Sequence, residues 1–309
     1  MMHCSHLLLA ALAVAIAPAL AVGAPTEPKI ILDTDIGDDV DDAYALGLLA
    51  SRKDARLLGV TTAHNNTAKR AELAAKLLSV MGRKDVPVCA GRPTGDGIGR
   101  QHDWAKSFRS RSILTMSAVA FMKREIERYP GEVILVPIGA LTNIGDLLRQ
   151  HPDVAPKIKQ IVMMGGAAYV GYGNKPPAEI EWNIRCDPEA ARTVFASGVP
   201  IVMAGLDATT MMQLDAERQK RMAAHGTRTT DAIAAMRELW GNPVPTLFDP
   251  VAVAYACGHA FAEGKAVRIQ IENNGLTRVV EGTPNATVLI NPRKDEFLDW
   301  YVEAMRATP

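Results

Sequence analysis

Six carboxylates crowd ten residues, Asp33-Thr34-Asp35-Ile36-Gly37-Asp38-Asp39-Val40-Asp41-Asp42, directly after the apolar run Ile30-Ile31-Leu32, and no Lys or Arg lies among them. Two carboxylates about 4 Å apart repel by roughly 4 kcal/mol at an effective dielectric of 20. A cluster this dense splays into solvent, captures a hard cation, or keeps some members protonated. Asp38 and Asp39 read as a solvated turn and helix cap. Asp33, Asp35, Asp41 and Asp42 flank the end of a buried strand and the start of a helix, whose first turn favours negative charge. That placement suits a shared, oxygen-liking ion, Ca²⁺ ahead of Mg²⁺ if the protein supplies most of the ligands. An EF-hand is excluded, because Gly37 occupies the fifth loop position and Tyr44 the twelfth.

Such residues work only if a frame holds them, and the chain around them has a regular pattern. Short Val- and Ile-rich runs predict strands over 29–33, 56–62, 86–90, 132–138, 160–164 and 200–204. Helical periodicity fills the intervals over 41–51, 68–81, 113–129, 143–150 and 188–196, several with Asp, Thr or Pro at the start and Gly or Pro just beyond the end. This alternation, with strands apolar almost throughout, predicts an α/β fold: a single open, mostly parallel sheet with helices on both faces. The last hundred residues change character, with helices expected over 215–224, 231–239 and 249–256, a hairpin over 267–289 and a closing helix over 293–305. No repeat or low-complexity linker divides the chain, so one domain over 22–309 is the economical reading. Lys+Arg 34 balance Asp+Glu 34 over 309 residues, so charge gives no reason to expect a nucleic acid. Hydrophobic residues at 48% with charged residues at 22% exclude a disordered or multi-span membrane chain.

In an open parallel sheet the ligand sits at the carboxyl ends of the strands. Those ends carry Thr61-Thr62-Ala63-His64-Asn65-Asn66, Gly139-Ala140-Leu141-Thr142-Asn143 and Met163-Met164-Gly165-Gly166. Further along stand Gly173-Asn174, Glu181-Trp182-Asn183, Asp187-Pro188-Glu189-Ala190-Ala191 and Phe248-Asp249-Pro250. Asn and Glu without a facing Lys or Arg suit a neutral, polyhydroxylated ligand better than a phosphate. A phosphatase of the haloacid dehalogenase type also opens on an apolar strand and Asp-x-Asp, but wants Thr or Val where Gly37 stands. The ordered set resembles nucleoside hydrolases of the inosine–uridine-preferring type, which open with Asp-Thr-Asp-x-Gly-x-Asp-Asp-Ala and continue through Thr-Thr-x-x-x-Asn, Leu-Thr-Asn, Met-Gly-Gly, Gly-Asn, Glu-x-Asn, Asp-Pro-Glu-Ala and Asp-Pro. The likeness runs over residues 29–305. It departs twice: two extra residues separate Gly37 from Asp41-Asp42-Ala43, which leaves Asp39 as an alternative to one of the later pair, and Phe248 stands where some members carry His.

The resemblance implies a Rossmann-like nucleoside hydrolase fold and calcium-dependent hydrolysis of the N-glycosidic bond of ribonucleosides to free base and ribose. It implies Ca²⁺ held by Asp35, Asp42, Asp249 and the backbone carbonyl of Thr142, the ribose 2′- and 3′-hydroxyls completing the shell. Asp35, touching metal and water, would take the water's proton before attack at the anomeric carbon, through an oxocarbenium-like transition state. Asp41 would bind the 2′-hydroxyl. Asn66, Asn174, Glu181 and Asn183 would hold the remaining ribose oxygens, with Met164 a further substrate contact. The departing base needs a proton that Phe248 cannot give. His102, in Arg100-Gln101-His102-Asp103-Trp104, is the expected donor; Tyr169 and Tyr172 are alternatives, and stacking on Trp182, Trp104 or Trp240 with protonation by solvent is a third route.

Residues 7–22 are almost all Leu, Ala, Val and Ile, and no Asp, Glu, Lys or Arg precedes Glu27. This predicts a signal peptide over 1–21, cleaved after Ala21, and a periplasmic or secreted protein with no stable membrane insertion after cleavage. An uncleaved anchor is the alternative, though the run is short for a full span. Cys89, Cys186 and Cys257 form no Cys-x-x-Cys pair, so neither a disulfide framework nor a zinc site is expected. The expected partner is a small nucleoside. The preferred base and the oligomeric state, a homo-oligomer included, stay open. Two rival readings remain: the metal-dependent phosphatase and a non-catalytic periplasmic nucleoside- or sugar-binding protein.

Overall fold

In β1 (Lys29–Thr34) successive side chains point to opposite faces, so Ile30 and Leu32 enter one core and Ile31 the other. A strand apolar on both faces belongs at the centre of a covered sheet, and β1 takes that place in a computed structural model that describes residues 27–308. It pairs in parallel with β2 (Arg56–Thr62) on one side. The chain continues outward through β3 (Val88–Ala90) to the edge strand β4 (Ile113–Leu114). It then crosses back to β5 (Val133–Pro137), which pairs in parallel with the other side of β1, and continues through β6 (Ile158–Met164) to β7 (Ile201–Ala204). Three late strands extend this edge: β8 (Glu263–Ile271), β9 (Thr277–Val280) and β10 (Ala286–Ile290). The ten-stranded order is β4-β3-β2-β1-β5-β6-β7-β10-β8-β9.

On the face of Ile30 and Leu32 lie α1 (Asp41–Ser51) and α2 (Thr67–Val80). The opposite face is covered by α4 (Ala118–Arg128), α5 (Thr142–Gln150) and α7 (Pro188–Phe195). The first face is completed by α10 (Arg228–Trp240), α11 (Phe248–Ala256) and α12 (Lys294–Arg306), with α9 (Ala216–Ala223) packed on α12. Three short helices were not legible from periodicity: α3 (His102–Ala105), α6 (Trp182–Cys186) and α8 (Leu206–Thr209), together with a 3-10 turn at Pro152–Lys157. Four or five residues hold barely one turn, too few for a repeating pattern.

Two expectations are corrected. The helix expected over 113–129 begins only at Ala118, because Ile113 and Leu114 pair with β3 and the Ser117 hydroxyl then caps the helix, accepting from the Ala120 N–H at 3.2 Å. The hairpin expected over 267–289 is three strands. β8 and β9 are antiparallel neighbours, but β10 passes back between β7 and β8 and runs parallel to β7. Val288 enters one core and Leu289 the other, so β10 is a covered interior strand.

The chain leaves β1 in one direction and returns to its other side at β5, so the connections diverge between these two strands. This opens a crevice beyond their carboxyl ends. The strands stay together to the rim, where the Ile138 N–H donates to the Asp33 carbonyl at 2.8 Å. A Cβ at Gly139 would lie 2.6 Å from Asp35 Oδ1, so glycine lets the end of β5 approach the loop after β1. Among the described residues no helix is long and apolar enough to cross a membrane, and Cys89, Cys186 and Cys257 are unpaired. The expected signal peptide lies outside the described residues.

Candidate active site

A cavity of about 320 Å³ occupies the crevice between β1 and β5. Its floor is acidic. Asp35 follows β1, Asp41 and Asp42 form the first turn of α1, and Asp249 lies in the first turn of α11, which packs on α1. Asp41, Asp42 and Asp249 each turn an oxygen inward, the three lying within 4.8 Å of one another. All three are buried, as is Asp35. Hydrogen bonds orient them: the Thr34 hydroxyl donates to Asp42, and the Asp249 N–H to Asp41 Oδ2 at 3.3 Å.

Burial raises these acids far above the ordinary carboxylate range, and their neighbours' charges add to it. Asp35 is pushed up to about 7 by burial, against the pull of Arg70. The donor set is oxygen-only and, among the described residues, has no cationic side chain inside it; a hard divalent ion would let these carboxyls ionise together. The two extra residues of the loop do not displace the later pair: Asp41 and Asp42 take the inward positions, and Asp39 lines the cavity beside them.

Arg70 holds this loop, and the sequence reading missed it. Its guanidinium is fully buried and forked across the turn: it donates to the carbonyls of Asp35 and Ile36, to that of His64 at 2.9 Å, and to Asp38 Oδ2 at 2.6 Å. Asp38 is thus an ion-pair partner and not a solvated cap. Gly99 N–H donates to Asp38 Oδ1 at 2.8 Å, and the Gln101 amide to the Asp39 carbonyl at 2.7 Å. A signal for Arg70 existed in the sequence, an Arg on the face of α2 that otherwise presents Leu73, Ala74 and Leu77 to the core. Asp33 stands behind the floor, where its carboxylate accepts from the Thr61 hydroxyl at 2.6 Å and the Asn143 amide at 2.8 Å, tying β1 to β2 and α5.

The side wall comes from the carboxyl ends of β5 and β6. Glu181 caps α6 and pins the Gly165-Gly166 turn, accepting from the N–H groups of Gly166 at 2.8 Å, Asn183 at 2.8 Å and Ile184 at 3.1 Å. Asn183 directs its amide hydrogens to the carbonyls of Ile138 at 3.1 Å and Met164 at 3.2 Å. Around the mouth stand Tyr172, Trp182, Trp240 and Phe248. Of the expected residues, Asp35, Asp41, Asp42, Met164, Glu181, Asn183 and Asp249 meet at this cavity.

Four do not line it. His102 pairs with Glu72 at 3.1 Å on α2, and in its segment the neighbour Gln101 is the residue that holds the backbone of the acidic loop. Asn66 caps α2, accepting from the Lys69 N–H at 3.1 Å. Asn174 is exposed at a left-handed turn, its side chain 3.4 Å from the Thr210 hydroxyl. Thr142 opens α5 and donates its hydroxyl to Asp187 at 2.7 Å, whereas Ile138, the residue just past β5, is the one of this segment that lines the cavity. Trp104 packs under Lys76, whose ammonium lies 4.2 Å from the ring centre, and Tyr169 under Lys265.

Breaking a buried charge pair costs about 3–5 kcal/mol, and Lys lacks the fork that spans several acceptors. Arg70→Ala is expected to lose roughly that much stability in urea unfolding, and Arg70→Lys a smaller part of it because the charge stays while the fork is lost; a Lys variant as stable as the wild type would show that charge alone secures the loop.

Residues 30–299 match the inosine-uridine preferring nucleoside hydrolase family. Pyrimidine-specific ribonucleoside hydrolases RihA of Shewanella sp. (strain ANA-3) and Shewanella baltica (strain OS155 / ATCC BAA-1091) are 34% and 35% identical to the chain, covering 89% and 90% of it and 95% and 96% of themselves. A plant nucleoside hydrolase, the PpNRh1 enzyme, superimposes with a TM-score of 0.81 at 22% identity, over 91% of this chain and 99% of its own. The purine-preferring ribonucleoside hydrolase from Gardnerella vaginalis gives 0.79 at 24% identity, over 90% and 98%. These matches favour neither a phosphatase nor a non-catalytic binding protein, and with the acidic crevice at the β1–β5 switch point they place the chain in the inosine-uridine preferring nucleoside hydrolase family, enzymes that hydrolyse the N-glycosidic bond of ribonucleosides.

Proposed function

We propose that this cavity hydrolyses ribonucleosides with a Ca²⁺ ion held by Asp35, Asp42, Asp249 and the main-chain carbonyl at Ile138. The observation that supports this reading is the buried convergence of Asp35, Asp41, Asp42 and Asp249 on one cavity, with no Lys or Arg among the described residues that line it. Once bound, the ion supplies the positive charge these carboxylates lack, draws ribose hydroxyl oxygens to the floor and acidifies a neighbouring water.

The protein's own groups do the rest. Asp35 takes the proton of the water that attacks the anomeric carbon, and the close fit of Gly139 and the grip of Arg70 on its carbonyl fix its direction. Asp41 accepts from the 2′-hydroxyl. Glu181 and Asn183, anchored on strand-end backbone, position the remaining ribose oxygens, so the ring is held while it flattens towards an oxocarbenium ion. The carboxylate floor stabilises the positive charge that develops there. The base projects towards the aromatic mouth.

Dialysis against a chelator is expected to abolish release of reducing sugar from uridine and inosine, and added Ca²⁺ to restore it; full turnover by metal-stripped protein would sink the reading. Asp35→Ala should retain the fold and lower kcat by about 10²-fold or more, since general base catalysis is typically worth 10²–10⁴-fold. Stability of the ion-free protein should also depend on pH. The folded-state value of Asp35 is raised, from the ordinary 3.8 to about 7, so its contribution is complete below about 4 and lost as the pH climbs through 7. The melting temperature of stripped protein should therefore fall from about pH 5 to about pH 8, with the largest Ca²⁺ rescue at the upper end.

We further propose that the chain is exported, on the strength of the uncharged apolar run over 7–22 and the small residues at Ala19 and Ala21. Mass spectrometry of protein from the native host is expected to find Val22 as the first residue. Intact Met1 in a soluble cytoplasmic fraction would refute this.

A further inference from the structure

Cleavage of a nucleoside expels a base that is a poor anion, so a hydrogen-bond donor at the mouth matters as much as the floor. Few cavity side chains qualify. Glu181 is occupied by three main-chain N–H groups, the Asn183 amide hydrogens go to carbonyls, and Phe248 has nothing to donate. His102 is turned away to Glu72. The mouth therefore offers two indoles, on Trp182 and Trp240, and one hydroxyl, on Tyr172.

Tyr172 is held for the purpose. Its ring meets Phe248 edge-on, the centres 6.4 Å apart at 77°, so it stands beside the position where some relatives carry His. Its oxygen accepts the main-chain N–H of Trp182 at 2.9 Å. Among the described residues nothing accepts the hydroxyl's own hydrogen, although the ring is part-exposed at the cavity wall. The segment leading to it is anchored: the Asp207 carboxylate takes the N–H groups of Ala168 and Tyr169 at 2.7 Å and of Val170 at 3.2 Å. Burial and the nearby Glu181 push the phenol up to about 12, so its hydrogen stays in place through the neutral range.

We propose that Tyr172 donates a hydrogen bond to the departing base, taking the part that Phe248 cannot play. The inference rests on nucleoside hydrolysis in this cavity. As the C1′–N bond breaks, its electron pair passes to the ring nitrogen and spreads to a second ring nitrogen or a carbonyl oxygen, which accepts from the Tyr172 hydroxyl. The water oxygen bonds to C1′ and its proton passes to Asp35. The base then leaves and takes a proton from solvent, and Asp35 returns its own, so the products are neutral base and ribose.

The test compares Tyr172→Phe with wild type on uridine, inosine and p-nitrophenyl riboside, with circular dichroism to confirm the fold. The activated riboside expels a stable anion but needs the same ribose geometry, so any loss of positioning through Trp182 falls on all three substrates. The expected result is a drop in kcat of roughly tenfold to a hundredfold on both nucleosides, with p-nitrophenyl riboside within about twofold of wild type. An equal loss on all three would make Tyr172 a positioning residue and overturn the proposal, as would unchanged rates on all three. Wild-type protein that cleaves none of them would instead remove the hydrolase reading on which the proposal stands.

Discussion

Carboxylates that water cannot reach repel one another with little screening, and Asp35, Asp41, Asp42 and Asp249 are buried in that condition at the end of β1 and the starts of α1 and α11. At about 4 Å and an effective dielectric of 20, each close pair opposes folding by roughly 4 kcal/mol unless a cation or a proton intervenes. The arrangement persists because the groups around it are rigid. β1 is sandwiched between β2 and β5, Gly139 leaves room for Asp35, and the Thr34 hydroxyl and Asp249 N–H orient the carboxylates of Asp42 and Asp41. The helix starts also help, since the first turns of α1 and α11 favour negative charge.

Arg70 shows how the fold keeps a buried cation beside the site out of the ligand set. Its guanidinium lies beneath the loop and binds mainly carbonyl oxygens, with Asp38 as its charge partner, so the floor carboxylates keep their inward faces. A Lys or Arg pointing into the floor would neutralise it without offering an open coordination position. Placing the charge under the backbone gives the loop a fixed shape and leaves the cavity anionic. The two residues that lengthen this loop are absorbed in the same way, clamped from above by the Gly99 N–H and the Gln101 amide.

Floor and mouth differ in kind. The floor is carboxylate, suited to a polyol and a hard ion; the mouth is aromatic, with Tyr172 and Trp182 among the few large apolar side chains left exposed on the described residues. A ligand with a hydroxylated ring at one end and a flat heterocycle at the other matches that division. The two halves are joined through α6: Glu181 and Asn183 belong to the floor's wall, while Trp182 between them faces the mouth and is tied by its main-chain N–H to Tyr172.

Much of this was legible in order along the chain. Apolar runs located the central strands and the helices of the parallel core, because burial on both faces or on one stripe forces a period that survives in sequence. The motif order located Asp35, Asp41, Asp42, Met164, Glu181, Asn183 and Asp249, all of which meet at one cavity. What sequence alone could not separate was which polar residue near a strand end turns inward and which serves the backbone. Asn66 and Asn174 sit in motifs as suggestive as Asn183, yet one caps a helix and the other lies in an exposed turn. Ile138 rather than Thr142 meets the cavity, and His102 turns away to Glu72 while its neighbour Gln101 holds the Asp39 carbonyl, because residues a few positions apart at a strand end or along a helical turn point in different directions. The residue types and their order along the chain were determined by sequence; the side of the wall each one faces, and the partner that claims it, were decided only by tertiary packing, with the loop after β1 folded over Arg70 and the strand ends set around the crevice.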